Sequence, residues 1–328
     1  MTDQATTIPK GWKMTTLGEV INIRNGKSRP DNGKQYPVYG GNGILGYADE
    51  YNIDEKIIIV GRVGAYCGSI FLEKEKIWLS DNALGVLAKE KSNIDFLYYL
   101  LKKINLNKQA IGGAQPLLTQ CIINQIEALV PEREEEQRAI AAVLSSFDDK
   151  IELLREQNKT LEVIAQAIFK EWFVHFNFPN ENGKPYKASG GKMIDSELGK
   201  IPEGWRVGGL GEEIETMLGG TPSTEKKEYW ENGNIPWINS GKVNDFRIYE
   251  PTSYITEKAL NESATKLMPK GTIVIAITGA TLGQVSRLEI DSTGNQSVIG
   301  ILPNDKFSSA YLFYWMLENV STIINTAT

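Results

Sequence analysis

The chain has 328 residues, of which 41% are hydrophobic and 23% charged, and it carries a formal net charge of −6 at pH 7. That length holds two domains and a connector with ordinary cores, while the acidic balance excludes uniform basicity as the mark of a nucleic-acid binder. Two cysteines and one histidine leave little material for a disulfide framework, a zinc site or a histidine-dependent triad.

No apolar run approaches the 18 or so residues of a membrane span, and the start MTDQATTIPK has no hydrophobic signal region, so the chain reads as cytoplasmic with no membrane partner. Cys67 and Cys121 lie apart in apolar settings and are expected to be buried thiols. His175, among aromatic residues, is expected to pack rather than to ligate or catalyse. By region, residues 1–130 carry 15 basic and 13 acidic groups, residues 131–175 carry 6 and 10, and the rest carry 14 and 18. Any nucleic-acid site must therefore be local.

The opening segment Ile8-Pro-Lys-Gly-Trp12, followed by Leu17-Gly-Glu19, returns as Ile201-Pro-Glu-Gly-Trp205 followed by Leu210-Gly-Glu212, an offset of 193 residues. Further on, residues 57–101 align without gaps to 272–316 at an offset of 215. IIIVGRVGAYCGSI then pairs with TIVIAITGATLGQV, and Phe96-Leu-Tyr-Tyr99 with Tyr311-Leu-Phe-Tyr314. The chain is an internal duplication. Each copy reads as a tryptophan-bearing opening, a short helix or strand at Leu-Gly-Glu, and a variable stretch rich in glycine, proline and aromatics. After these come a β-branched strand (57–60), a glycine turn (64–68), a second strand (69–72) and a helix from Asn93 or Ser308. This is α+β. The drift in offset gives the second copy about 22 more residues, concentrated in 217–269 against 22–54. The scaffolds match while their loops differ.

Between the copies, Pro131 to Phe173 carries apolar residues at steps of four and three: Ile140, Leu144, Phe147, Ile151, Leu154, Leu161, Ala165, Ile168 and Trp172, with Asn158 as the polar member. That is a heptad seam, and an asparagine on it sets register at some expense of stability. The acidic run Glu132–Glu136 suits a helix N-terminus, and a helix over 132–173 would be about 60 Å long. It is too long for most globular cores, and its seam asks for a partner helix. The domains are therefore 1–130, a spacer helix 131–175, a linker 176–200 and a second domain 201–328.

In this order, the I-P-x-G-W-x(4)-L-G-E openings, the Gly-Ala-x-x-Gly turn after a strand, the Phe/Tyr-Leu-x-Tyr helix, Gly112-Gly-Ala-Gln115 and Glu136-Gln-Arg-x-Ile140 resemble the specificity subunits of type I restriction-modification systems. The resemblance implies two target-recognition domains joined by a long conserved coiled-coil-type helix. It further implies that each domain reads half of a bipartite double-stranded DNA sequence and that the helices dock modification subunits. Those partners would carry S-adenosylmethionine and methylate adenine, a restriction subunit would join them, and this chain would have no cofactor and no catalysis of its own. Members of the family end in a second helix antiparallel to the first, whereas this sequence stops at Asn325-Thr-Ala-Thr328. The expectation is a missing second helix. The seam Leu144, Phe147, Ile151, Leu154, Asn158, Leu161, Ile168 and Trp172 would then be met by self-association, by a separate helix fragment or modification subunit, or by nothing in a defective truncation.

Candidate DNA contacts in the first copy are Arg24, Lys27, Ser28, Arg29, Lys34, Tyr36, Tyr39 and Asn42, a crowd of cations and amides that can hold phosphates or reach base edges. In the second copy they are Thr221, Ser223, Lys226, Asn239, Ser240 and Lys242; Trp230 and Trp237 are expected to pack. The glycine turns could form phosphate nests beside Arg62, Tyr66, Thr278 and Thr281. Gly41-Asn-Gly43-Ile-Leu-Gly46 matches a dinucleotide pattern but has no clean strand before it and a poor helix start after it. Pro30-Asp31 with Asp54-Glu-Lys56 could mimic a magnesium nuclease, and no Asn/Asp-Pro-Pro-aromatic motif marks an adenine methyltransferase. The alternatives to a DNA reader are a protein scaffold, or a silent truncated fragment, oligomerising through the helix, and lastly an enzyme.

Overall fold

The computed structural model describes residues 8–112 and 116–327. They form two compact units that divide at Gln157 and Asn158. Residues 113–115 of the Gly-Gly-Ala-Gln segment lie outside the described residues.

In unit 1 the chain runs β1 (Trp12–Thr16), α1 (Leu17–Val20), β2 (Ile21–Asn25), β3 (Tyr36–Gly40), β4 (Gly43–Ala48), β5 (Ile57–Gly61), β6 (Ile70–Glu73), β7 (Trp78–Leu79) and β8 (Ala83–Ala88). Next come α2 (Ile94–Ile104), α3 (Gln120–Gln125), β9 (Glu127–Pro131) and α4 (Glu134–Phe169), which crosses into unit 2. Strand β5 is buried on both faces because alternate residues serve two cores. Ile58 and Val60 meet Leu97 and Leu101 of α2, while Ile57 and Ile59 meet Ile77 and Leu79. The main sheet has the order β2-β8-β5-β6, and a smaller one the order β4-β3-β7. Asn93 caps α2 by accepting from Phe96 N–H at 3.0 Å, and Asn105 ends it in the left-handed region. β1 pairs antiparallel with β9, and α1 packs on α3.

Unit 2 adds β10 (Met193–Ser196), β11 (Gly199–Pro202), α5 (Leu210–Glu213), β12 (Thr216–Leu218), β13 (Ile235–Ile238), β14 (Arg247–Ile248) and β15 (Ser253–Ile255). It continues with α6 (Glu257–Glu262), β16 (Ile273–Ala276), β17 (Val285–Leu288), β18 (Thr293–Gly294), β19 (Val298–Ile301) and α7 (Ser309–Ala327). The sheet β12-β19-β16-β17-β14 repeats the first unit's logic. Ile273 and Ile275 pack on Leu312, Phe313 and Met316 of α7, while Val274 and Ala276 face Ile238 and Ile248. Even the small sheet recurs: β3 lies parallel to β7, and β13 parallel to β18, in the same register.

Several residues sit elsewhere than their sequence suggests. Cys67 is buried, but Cys121 is exposed on α3. His175 is half exposed and bonds Glu171 at 3.1 Å, because α4 ends in a wider turn over Lys170–Val174 that carries it out of the aromatic row. The expected linker is built: Phe178 stacks on Tyr186 at 4.7 Å and on Trp205 at 5.6 Å, and β10 and β11 form a hairpin.

Candidate nucleic-acid interface

The variable stretches begin at equivalent anchors. Where β2 ends, a Cβ on Gly26 would stand 1.9 Å from the carbonyl oxygen of Ser80; where β12 ends, one on Gly219 would stand 2.2 Å from that of Asn295. No side chain fits either place, so in each unit the loop leaves the sheet along the same backbone groove. Beyond the anchors the loops diverge: unit 1 builds the β3–β4 hairpin, and unit 2 builds two short 3-10 turns, β13 to β15 and α6.

In unit 1, Lys27 and Ser28 are exposed on the loop, with the Ser28 carbonyl accepting from Trp78 Nε1 at 3.1 Å. Arg29 folds back on the hairpin, its Nη2 donating to Leu45 O at 3.2 Å and Asn32 Oδ1 at 3.3 Å. Lys34 is exposed, its backbone N–H held by Asp49. Tyr36 packs edge-on against Tyr51, and Asn42 is exposed at the hairpin tip. Arg24 is paired with Glu55 at 2.9 Å. Tyr39 departs from expectation: it is buried and donates to Glu73 at 2.8 Å. Its register partner in the duplicated sheet is the core residue Ile238, so β3 commits it inward. Burial and the carboxylate push its phenol well above the usual tyrosine range.

In unit 2, Thr221 donates to Gln296, Ser223 is exposed, and Lys226 donates to Tyr229 at 2.8 Å. Asn239 caps the turn Ser240–Asn244 by accepting from Lys242 N–H at 3.0 Å. The Lys242 ammonium is held by Asp245 and Glu250, which leaves it less available to phosphate than Lys27 or Lys34. Trp230 and Trp237 pack edge to face at 5.2 Å.

Both glycine turns are 3-10 turns of the same form: Gly64 and Gly279 have φ of +73° and +72°, and Gly68 and Gly283 have +88° and +84°. Beside them Tyr66 is exposed, Thr281 is half-buried, Thr278 donates to Ser297 at 2.6 Å, and Arg62 keeps a buried Nε with no hydrogen-bond partner among the described residues. The dinucleotide-like glycines are the β3–β4 hairpin and open no helix. Asp54 and Lys56 are separated by their own pairings, with Lys76 and Asp95. Among the described residues no group of three or more His, Cys, Asp or Glu is placed to hold a metal.

The motifs acquire roles on α4. In unit 1, Glu136 accepts from Trp12 Nε1 at 2.8 Å, and buried Gln137 accepts from Asn93 N–H at 2.8 Å and donates to Pro131 O at 2.9 Å. Tyr99 donates to Asp148 at 2.8 Å, and its counterpart Tyr314 donates to Glu162 in unit 2. Burial beside Glu162 pushes the Tyr314 phenol up to about 12. Arg247 completes that site, pairing Glu162 and Glu289. None of these pairings was predicted, since nothing in the repeat marks which carboxylate a tyrosine meets. Arg247→Ala leaves Glu162 half-buried without its cation and is expected to destabilise unit 2 by about 2 kcal/mol. A guanidinium melt followed through unit 2 tryptophans checks it; an unchanged midpoint would remove Arg247 as a clamp.

The seam side chains of α4 are unburied: Leu144, Phe147, Ile151, Leu154, Leu161, Ile168 and Trp172 are 37–63% exposed, and Asn158 is exposed among them. At 36 residues the regular part of α4 is about 54 Å long.

Two like-built α+β units, each holding a different loop on the same anchor, with a long helix between them, define a protein of paired target-recognition domains. The chain matches the family described as type I restriction modification DNA specificity domain twice, over residues 9–163 and 202–327, and it belongs to that family. It is 28% identical over 308 residues to the MjaIX specificity subunit of Methanocaldococcus jannaschii, covering 84% of this chain and 68% of that one. It is 33% identical over 162 residues to the EcoprrI specificity subunit of Escherichia coli, covering 47% of this chain and 40% of that one. The fold is similar to the crystal structure of a type I S subunit from M. genitalium, with a TM-score of 0.55 at 19% identity, over 99% of this chain and 81% of that one. Specificity subunits are the non-catalytic members of their systems, and this chain is one of that family. No described helix is long and apolar enough to cross a membrane.

Proposed function

We propose that each unit reads one half of a bipartite double-stranded DNA sequence, and that α4 spaces the halves and docks modification subunits that supply S-adenosylmethionine and methylate adenine. A restriction subunit would join the same assembly. The observation that carries this reading is the pair of anchors, Gly26 on Ser80 and Gly219 on Asn295, which hold loops of unlike sequence on like sheets. A scaffold that varies only at its loops is what reading two different sequences requires.

The exposed loop cations of unit 1, Lys27 and Lys34, suit phosphates, and Arg29 and Asn42 suit base edges. Arg29→Ala is expected to weaken binding by about 1–3 kcal/mol and relax selection at one half-site only, whereas Lys27→Ala weakens all sequences alike and lowers the salt slope. The test is a gel shift of the chain with its cognate modification subunits against a randomised gapped duplex, over a salt series. Selection of one gapped sequence supports the reading. Binding that ignores both salt and sequence would reject it in favour of a protein scaffold.

A further inference from the structure

The β3–β4 hairpin of unit 1 carries a feature that cations and amides do not account for. Strand β4 lies at the edge of its sheet, whose order is β4-β3-β7. Its register with β3 slips once: Val38 pairs with Gly46 but Tyr39 pairs with Ile44, so Leu45 is an extra residue, a bulge. A regular strand turns successive side chains to opposite faces. Here the alternation breaks, and the adjacent Ile44 and Leu45 both stand in solvent, 51% and 40% exposed. Two neighbouring branched apolar side chains on an open edge strand are a liability that folds ordinarily cover or replace with charge.

The surrounding glycines show that the place is built. A Cβ on Gly40 would stand 2.5 Å from Leu45 Cδ1, so β3 has no side chain where that of Leu45 lies against it. Just past the bulge, Gly46 has a φ of +151°, and a Cβ there would stand 2.8 Å from Arg29 Nη2. Arg29 lies over that gap, and its bond to Leu45 O at 3.2 Å ties the loop after β2 to the bulge. Exposed Asn42 sits in the turn between the paired Gly40 and Gly43. One short edge therefore presents an amide, two apolar side chains and a guanidinium.

We propose that Ile44 and Leu45 are specificity-determining residues of unit 1 that take the C5-methyl group of a thymine in the major groove. The inference rests on the DNA reading above and names the chemical group that this hairpin selects. A two-stranded β-ribbon fits the major groove, where the thymine methyl is the apolar mark of an A·T pair. Charge favours DNA over a protein as the occupant: the stretch from Arg24 to Ala48 carries four cations against one acid, Asp31. Methyl contact covers what the bulge exposes and leaves Asn42 to a base edge and Lys27 and Lys34 to phosphates.

The test uses the chain with its cognate modification subunits and the gapped duplex it selects, with each thymine replaced in turn by deoxyuridine, which lacks only the methyl group. At one thymine of one half-site, the replacement is expected to weaken binding about fourfold, the share of one buried methyl. The double variant Ile44→Ser with Leu45→Ser should melt like the parent, bind the thymine duplex about as weakly as the parent binds the deoxyuridine one, and no longer distinguish the two. Thymines of the other half-site should respond alike in parent and variant. Selection of a gapped sequence with no effect of deoxyuridine at any thymine would overturn the proposal and leave the DNA reading standing. So would a deoxyuridine effect that persists unchanged in the double variant. A double variant that fails to assemble with modification subunits would make the patch a protein contact and overturn the proposal as well. If the parent complex selects no sequence, both readings fall together.

Discussion

Gly26→Ala is expected to destabilise unit 1 by roughly 3 kcal/mol, and Gly219→Ala to do the same to unit 2, because each added methyl would be driven into backbone rather than into a side chain that can turn away. The groups in its path are the Ser80 carbonyl at 1.9 Å and the Asn295 carbonyl at 2.2 Å. Both belong to the turns that feed the long strands β8 and β19, so neither can retreat without breaking the ladders to β5 and β16. The loop yields instead. Each variant should therefore lose selection at its own half-site and keep it at the other, in a complex assembled with modification subunits. Hydrogen exchange resolves the two units separately, and the duplex-selection assay resolves the two half-sites. If either alanine variant melts and selects like the parent chain, the shared anchor is not what positions the recognition loops.

The second large effect belongs to the seam. Ile151→Ala combined with Leu154→Ala should change the stability of the chain by no more than about 0.5 kcal/mol, since both side chains already face solvent and alanine favours the helix. Assembly through α4 should instead weaken by about 3 kcal/mol or more, over a hundredfold, because the same side chains would be central apolar anchors in a helix–helix contact. Asn158→Leu should tighten assembly while loosening its register. Sizing with modification subunits, alongside a denaturant melt of the chain alone, separates the two effects. A seam variant that melts early yet assembles normally would show that the stripe serves the fold of the chain and not its partners.

Much of this molecule was legible before its structure. The repeat at offsets of 193 and 215 marked two like units, and the β-branched run at 57–60 marked the central strand. Heptad spacing marked α4 and its apolar stripe. These are local signals, written in periods of two and seven residues and in the recurrence of whole phrases. The candidate contacts were legible only as a neighbourhood. Lys27, Ser28, Lys34 and Asn42 do lie exposed along one loop and hairpin, but Tyr39 turns inward, and Arg24 and Lys242 are held by carboxylates. Composition places a lysine in a loop; it does not say whether an acid distant in the chain will reach it.

By itself the sequence determined the duplication, the strand and turn framework of each unit, the long helix and its apolar seam, because each depends on residues close together in the chain. Only the tertiary structure decided that Glu136 and Gln137 clamp α4 to unit 1, and that Tyr99 and Tyr314 grip it from equivalent positions. The physical reason is the same in every case. A hydrogen bond or a covered glycine depends on which distant backbone comes to lie opposite, and that is settled by packing across the fold rather than by any period along it.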